Sequence, residues 1–168
     1  MKMSSEIVVI AHNIRSAHNV GALLRTCEGI GVKTLYFSGY TPYPSHKDDN
    51  RLPHIARKLH TQIQKTALGA ESTQAWEYVE DIESILNTLS IEGFEIVALE
   101  QSSSSTPLQS YNPPKNVAIL IGSEVKGVDP SLLGKVPIHL EIPMFGKKES
   151  FNVVEATSMA LFHLRFAL

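Results

Sequence analysis

The sequence contains one cysteine, Cys27, among its 168 residues. A lone thiol excludes an internal disulfide framework and a multi-cysteine zinc site within one chain. Long apolar runs are equally scarce. The longest, residues 7–11 and 117–121, hold five residues each, against the ~20 that a membrane-spanning helix requires. Residues 1–6 place no hydrophobic stretch behind Lys2, so no signal peptide is expected. Nor does one charge dominate: fifteen Lys and Arg face seventeen Asp and Glu, a net charge of −2. That balance excludes a protein that coats nucleic acid through general basicity, but it permits a local basic surface. The expectation is a reduced, cytoplasmic protein without a membrane partner.

What is present is an ordinary globular composition, 43% apolar and 19% charged, which argues against disorder. The length suits one domain over residues 1–168 and suffices to bury a core without disulfides or a structural metal. Five apolar runs bounded by breakers predict buried strands at 7–11, 34–37, 95–99, 117–121 and 139–142. Helical spacing predicts a helix over 20–30, with Val20, Leu24, Cys27 and Gly31 on one face. Further helices are expected over 82–89 and from 152 to the end. Continuous β-branched runs alternating with helices predict an α/β fold, a parallel sheet with helices on both faces. Two stretches interrupt the alternation. Residues 39–68 are polar and contain Pro42, Pro44 and Pro53, which exclude one long helix. Residues 101–114 carry four successive serines and end in Pro113 and Pro114, a loop long enough to suggest a function.

Three motifs carry possible chemistry. The first follows the first strand as Asn13-Ile14-Arg15-Ser16-Ala17-His18-Asn19-Val20-Gly21 and continues to Arg25. Asn19 is suited to cap the helix, and Gly21 allows close backbone approach. His18, Ala22 and Arg25 share one helical face. A cap with a solvated arginine and an anion site at a helix N-terminus are both open readings. The second motif is Gly122-Ser123-Glu124-Val125-Lys126-Gly127, a glycine turn leaving a strand at the carboxyl edge where open α/β sheets bind ligands. Glu124 stands where a dinucleotide motif has glycine and would repel a pyrophosphate. Gly122 is expected to face ligand, so a branched side chain there would block binding while the chain still folds. The third runs Ile142-Pro143-Met144-Phe145-Gly146 and enters the last helix through Ser150-Phe151-Asn152-Val153, where Ser150 or Asn152 can cap.

In this order and spacing the three motifs resemble the SpoU branch of the SPOUT RNA methyltransferases, enzymes that methylate ribose 2′-hydroxyls with S-adenosylmethionine. The resemblance runs from Asn13 to the last helix and includes Lys65-Thr66-Ala67-Leu68-Gly69-Ala70-Glu71 and Leu99-Glu100-Gln101. It implies a C-terminal trefoil knot, a homodimer and no metal. It places catalytic roles on Asn19, Arg25, Glu124, Ser150 and Asn152, with Glu124 bracing Arg25 or the knot loop. The cofactor would be held by Leu99, Glu100, Gly122, Gly127, Ile142, Met144, Ser150 and Phe151. RNA contacts fall to Arg15, His18, Arg57 and Lys58. The third motif departs from the usual S-L-N-V-S-V-A, reading Ser150-Phe151-Asn152-Val153-Val154-Glu155-Ala156. Glu155 replaces an apolar residue on a helix that tends to lie at the family's dimer contact, so it needs a partner or solvent.

The expected reaction is methyl transfer to a 2′-oxygen, a poor nucleophile that needs a base or stabilisation of its developing charge. A guanidinium gives up its proton only at very high pH. Arg25 therefore acts either as a base stripped with help from the RNA phosphate, or, less demandingly, as a charged clamp on phosphate and alkoxide. Lys47, Arg51, Arg57, Lys58 and Lys65 against Asp48 and Asp49 form a local basic stretch expected to meet RNA phosphates. The expected substrate is tRNA rather than ribosomal RNA, selected by the domain surface and the second subunit. The competing readings are a ribosomal RNA methyltransferase, a base-nitrogen acceptor, or a catalytically silent RNA-binding dimer. A silent copy has no need to keep Asn19, Arg25, Ser150 and Asn152 together.

Overall fold

The computed structural model describes residues 6–167. Residues 1–5, most of the stretch read for a leader, and Leu168 lie outside the described residues. Seven strands form one sheet: β1 (Glu6–His12), β2 (Thr34–Ser38), β3 (Trp76–Val79), β4 (Glu95–Leu99), β5 (Thr106–Pro107), β6 (Asn116–Ile121) and β7 (Ile138–Glu141). Their order is β3-β2-β1-β6-β4-β7-β5, and each neighbouring pair is parallel. The expected α/β sheet is therefore present, with all five expected strands in it.

Alternation explains why the central strands are apolar throughout. Ile7, Val9 and Ala11 of β1, with Val117, Ile119 and Ile121 of β6, belong to one buried cluster. Val8, Ile10, Ala118 and Leu120 belong to the other. The first cluster is closed by α1 (Ala17–Ile30) and α6 (Val153–Phe166), and α2 (Pro53–Ala67) packs on α1. The second is closed by α4 (Ile82–Ile91) and the short α5 (Pro130–Leu133). A four-residue helix, α3 (Ala70–Thr73), links α2 to β3. Cys27 is fully buried in the first cluster, and burial pushes its thiol pKa up.

Several expectations are corrected. Asn19 does not cap α1. Ser16 does, its hydroxyl accepting from the Asn19 backbone N–H at 3.2 Å, because the apolar face already begins at the buried Ala17. Gly31 is not on the buried face of α1; it ends the helix in the left-handed conformation, φ 76°, the usual glycine stop. The polar stretch does exclude a single long helix, yet its second half forms α2. Pro53 sits at the start of that helix, where proline is tolerated, and Ala56, Ile63 and Ala67 are buried. Two edge strands were not expected. β3 is only half-buried, with Trp76 packed on Phe37 at 5.9 Å between ring centroids. β5 is two residues and includes Pro107, acceptable only at an edge.

Gly21 shows the close approach expected of it, and the partner is α2. A Cβ there would lie 2.2 Å from both the Ile63 carbonyl oxygen and the Thr66 hydroxyl. Thr66 Oγ1 donates to the His18 carbonyl at 2.7 Å, so the two helices are joined where the glycine brings them together.

Candidate active site

The site grows from the carboxyl ends of the strands. β1 ends in a turn at Asn13, a non-glycine residue with φ 59°. Its side chain offsets that strain locally: Oδ1 accepts from Tyr40 N at 3.2 Å and Nδ2 donates to His12 Nε2 at 3.0 Å. His12 Nδ1 in turn meets the Ser38 hydroxyl at 2.8 Å. Burial lowers the His12 pKa, and both ring nitrogens are engaged as a neutral imidazole requires.

Beyond this turn lies Glu124. Its Oε2 accepts from Arg15 N at 2.9 Å, and its Oε1 accepts from Ser16 N at 3.1 Å and from Asn19 Nδ2 at 2.9 Å. Burial works to raise this carboxyl's pKa, but those hydrogen bonds outweigh it and hold it below the ordinary value. The carboxylate sits at the N-terminus of α1, where negative charge is favoured. This answers the open question about that terminus: its anion site is filled by the protein's own Glu124. Glu124 does not brace Arg25, as one expectation had it; it clamps the loop after β6 to the loop after β1.

The loop carrying Glu124 is closed by its glycines. Ser123 and Gly127 exchange two backbone hydrogen bonds, at 3.0 and 2.8 Å. A Cβ on Gly122 would lie 2.3 Å from the Gly127 carbonyl carbon. Gly122 is therefore required by the loop itself, and a branched side chain there disturbs the fold, contrary to the expectation that such a chain would still fold. Gly127 has φ 66° and a Cβ there would strike Glu100 Oε2 at 2.0 Å. Glu100 is held against that loop by accepting from Val128 N at 2.8 Å.

A cavity of about 280 Å³ opens between these loops. It is lined by the ends of β4, β6 and β7 and by the entrance to α6, and it includes Leu99, Glu100, Gly122, Gly127, Ile142, Ser150 and Phe151. Seven of the eight residues expected to hold a cofactor thus share one wall system. Met144 does not line it. Asn152 does not either; its Oδ1 accepts from Val154 N at 2.8 Å and caps α6. Gln101, Ser123 and Val153, which stand within the quoted motifs but were given no role, also line the cavity, as does Glu141. Glu141 lies outside the motifs, and its place at the end of β7 beside Ile142 was the available signal. Gln101 Nε2 ties its loop to the Glu149 carbonyl at 3.3 Å.

Arg25 stands apart from this cavity. It is exposed and lines a second, open cleft between α1 and α2 with Lys65. Arg15, His18, Arg57 and Lys58 are also exposed. Arg51 is not available for RNA. It makes hydrogen bonds of 2.8 and 2.5 Å to Asp49, donates to the Tyr43 and Pro44 carbonyls, and lies 3.6 Å from the Tyr43 ring centroid. Glu155 is exposed in the first turn of α6, so solvent satisfies it and its charge suits the helix dipole. Among the described residues no group of three or more His, Cys, Asp or Glu could hold a metal ion.

An open parallel sheet with a ligand-sized cavity at the carboxyl ends of neighbouring strands is the architecture of the α/β class whose ligand sites lie at the sheet edge. A family model described as the SpoU rRNA Methylase family matches residues 6–162, and the chain belongs to that family. It is 26% identical over 167 residues to the tRNA (guanosine(18)-2′-O)-methyltransferase of Aquifex aeolicus, covering 96% of this chain and 69% of that protein. It is 24% identical to the 23S rRNA (guanosine(2553)-2′-O)-methyltransferase RlmP of Bacillus subtilis, covering 94% and 57%. The fold matches an AdoMet-bound rRNA methyltransferase from Sinorhizobium meliloti with a TM-score of 0.79 at 20% identity, over 97% of this chain and 57% of that one. The chain thus spans less than two thirds of the length of the last two.

Proposed function

We propose that this chain transfers a methyl group from S-adenosylmethionine to a ribose 2′-hydroxyl of RNA, with tRNA as the substrate. The observation that carries the reading is the linkage of the cavity to α1: Glu124 lines the cavity and holds Asn19 at 2.9 Å. The residues fit the cofactor chemically. Leu99, Ile121, Ile142 and Phe151 offer an apolar bed for a purine, while Glu100 and Glu141 offer acceptors for hydroxyl and ammonium groups. When bound, S-adenosylmethionine supplies an electrophilic methyl carbon. Ser150 and Phe151 shape the cavity wall, and Asn152 fixes the start of α6 behind them.

Because Asn19 commits Nδ2 to Glu124, its Oδ1 is left to accept from a ribose hydroxyl. Arg25 stays protonated; it grips the neighbouring phosphate and stabilises charge growing on the 2′-oxygen, while water takes the released proton. The exposed cations of α2, Arg57 and Lys58, add phosphate contacts. Residues 6–167 form one methyltransferase domain, knotted through the loops after β4, β6 and β7; the convergence of those loops on one cavity supports a trefoil. It acts in the cytoplasm, and no helix among the described residues is long and apolar enough to cross a membrane. It works as a homodimer. The exposed Met159, Phe162 and Phe166 on α6, with the two phenylalanine rings 4.8 Å apart, support that contact.

The test is methyl transfer from labelled S-adenosylmethionine into purified tRNA and ribosomal RNA, with nucleoside mass spectrometry of the product. Arg25→Ala is expected to keep cofactor affinity and lose about 10²-fold or more in turnover. Wild-type turnover in that variant, with chemistry rate-limiting, would overturn the role of Arg25. Methylation of a base instead of a ribose would overturn the reaction.

A further inference from the structure

We infer that the cleft between α1 and α2 is a nucleotide subsite of the RNA substrate, in which Lys65 pairs with Arg25 on one phosphate and Leu68 walls the adjoining sugar or base. The inference rests on the methyltransferase reading and extends it to two positioning residues. Six residues line the cleft: Ala22, Arg25, Thr26, Lys65, Thr66 and Leu68. Two are cations and none is a carboxylate. Among the described residues neither the Arg25 nor the Lys65 side chain has a hydrogen bond or ion pair. Two like charges brought to one cleft without a counter-charge repel unless an anion lies between them. Their proximity is built in, because Gly21 lets the last turns of α2 approach α1 to within contact of backbone.

Leu68 is the second, independent observation. It is a leucine with φ 51°, a conformation costly for a side chain of this kind, and it is 67% exposed. Its mostly exposed side chain recovers little of that strain by burial. The strained turn is the left-handed C-cap of α2, and three hydrogen bonds hold it. Leu68 N donates to the Gln64 carbonyl at 3.1 Å. Gly69 N donates to Glu71 Oε2 at 3.0 Å, and Gln64 Nε2 donates to Glu71 Oε1 at 3.1 Å. An apolar residue held strained and exposed beside two unpaired cations matches a nucleotide, which presents a charged phosphate next to an apolar ring face.

Lys65→Ala and Leu68→Gly test this with RNA binding by fluorescence anisotropy over a salt series, kcat/KM for methyl transfer, cofactor affinity and Tm. Lys65→Ala is expected to lower kcat/KM about ten-fold, the scale of one charge-assisted contact, and to reduce the salt slope by about one unit. Leu68→Gly suits the left-handed conformation better, so Tm is expected at or above wild type while kcat/KM falls about five-fold. Cofactor affinity is expected unchanged in both. Wild-type RNA affinity in either variant overturns the subsite. If the wild-type chain transfers no methyl group but both variants weaken RNA binding, the subsite stands and the methyltransferase reading falls.

Discussion

Replacing Glu124 with glutamine removes a charge while keeping the size of the side chain. In the wild type three N–H donors converge on two carboxylate oxygens, from Arg15, Ser16 and Asn19. Glutamine offers one acceptor oxygen and must turn its NH₂ toward at least one of those donors. With the carbonyl kept on Ser16 and Asn19, the bond to Arg15 N is lost, worth about 1.5–3 kcal/mol for a charged acceptor. The α1 terminus also loses a favourable negative charge, about 0.3–1 kcal/mol. The expected cost is thus about 2–4 kcal/mol, or roughly 4–16 °C in Tm for a domain of this size. The pH dependence gives a second check. The wild-type carboxyl is held below its ordinary value of 4.5, so its contribution is fully present above that value and is lost as pH falls through the lower folded one. The stability gap between Glu124→Gln and wild type should therefore be full at pH 7 and shrink progressively below about pH 4.5. Urea unfolding across that range measures both. Equal stability at pH 7, or a gap that stays constant into strong acid, would refute the clamp.

Three further outcomes are expected. Gly122→Val should unfold the loop and lower Tm along with cofactor affinity, because its side chain meets the Gly127 backbone; lost cofactor affinity at unchanged Tm would return Gly122 to a ligand-facing role. Arg51→Ala should cost about 1.5–3 kcal/mol by urea unfolding yet leave the salt dependence of RNA binding alone. Asp49 is held below its ordinary 3.8 chiefly by the hydrogen bond from Arg51, so that difference should persist at neutral pH and fade only below about pH 4. Arg57 and Lys58 replaced together by Ala should weaken binding to all RNA sequences and flatten the salt slope by roughly one unit per lost phosphate contact; an unaltered slope returns that face of α2 to plain solvation.

The central strands were legible because burial on both faces leaves no room for polar residues, so β1 and β6 stand out as unbroken apolar runs. β3 and β5 were not, because an edge strand can be short, half-exposed and even carry Pro107. The polar look of α2 hid a narrow stripe of Ala56, Ile63 and Ala67 that needs only α1 to cover it. Most of the cavity wall was legible through the second and third motifs and the strand end at residues 99–101, since each follows a strand and parallel strands end at the same edge. What each carboxylate holds was not. Glu124 binds residues 109 and 108 positions away, and no local spacing reports such a partner. Counting charges likewise overstated the basic stretch, because the pairing of Arg51 with Asp49 depends on the turn between them.

The seam between β1 and β6 also bears on how the chain reaches its fold. β1 is made before the other strands of its sheet, and its five buried residues need covering on both faces. Its partner across the seam lies beyond β2, β3, β4 and β5 in the order of synthesis. Until then the nascent first strand has only β2 beside it, and one hydrogen-bonding edge remains open. Parallel pairing over such separations places folding toward the slow, millisecond-to-second end of the range for small domains. The waiting strand is therefore exposed to aggregation and to chaperone capture during synthesis.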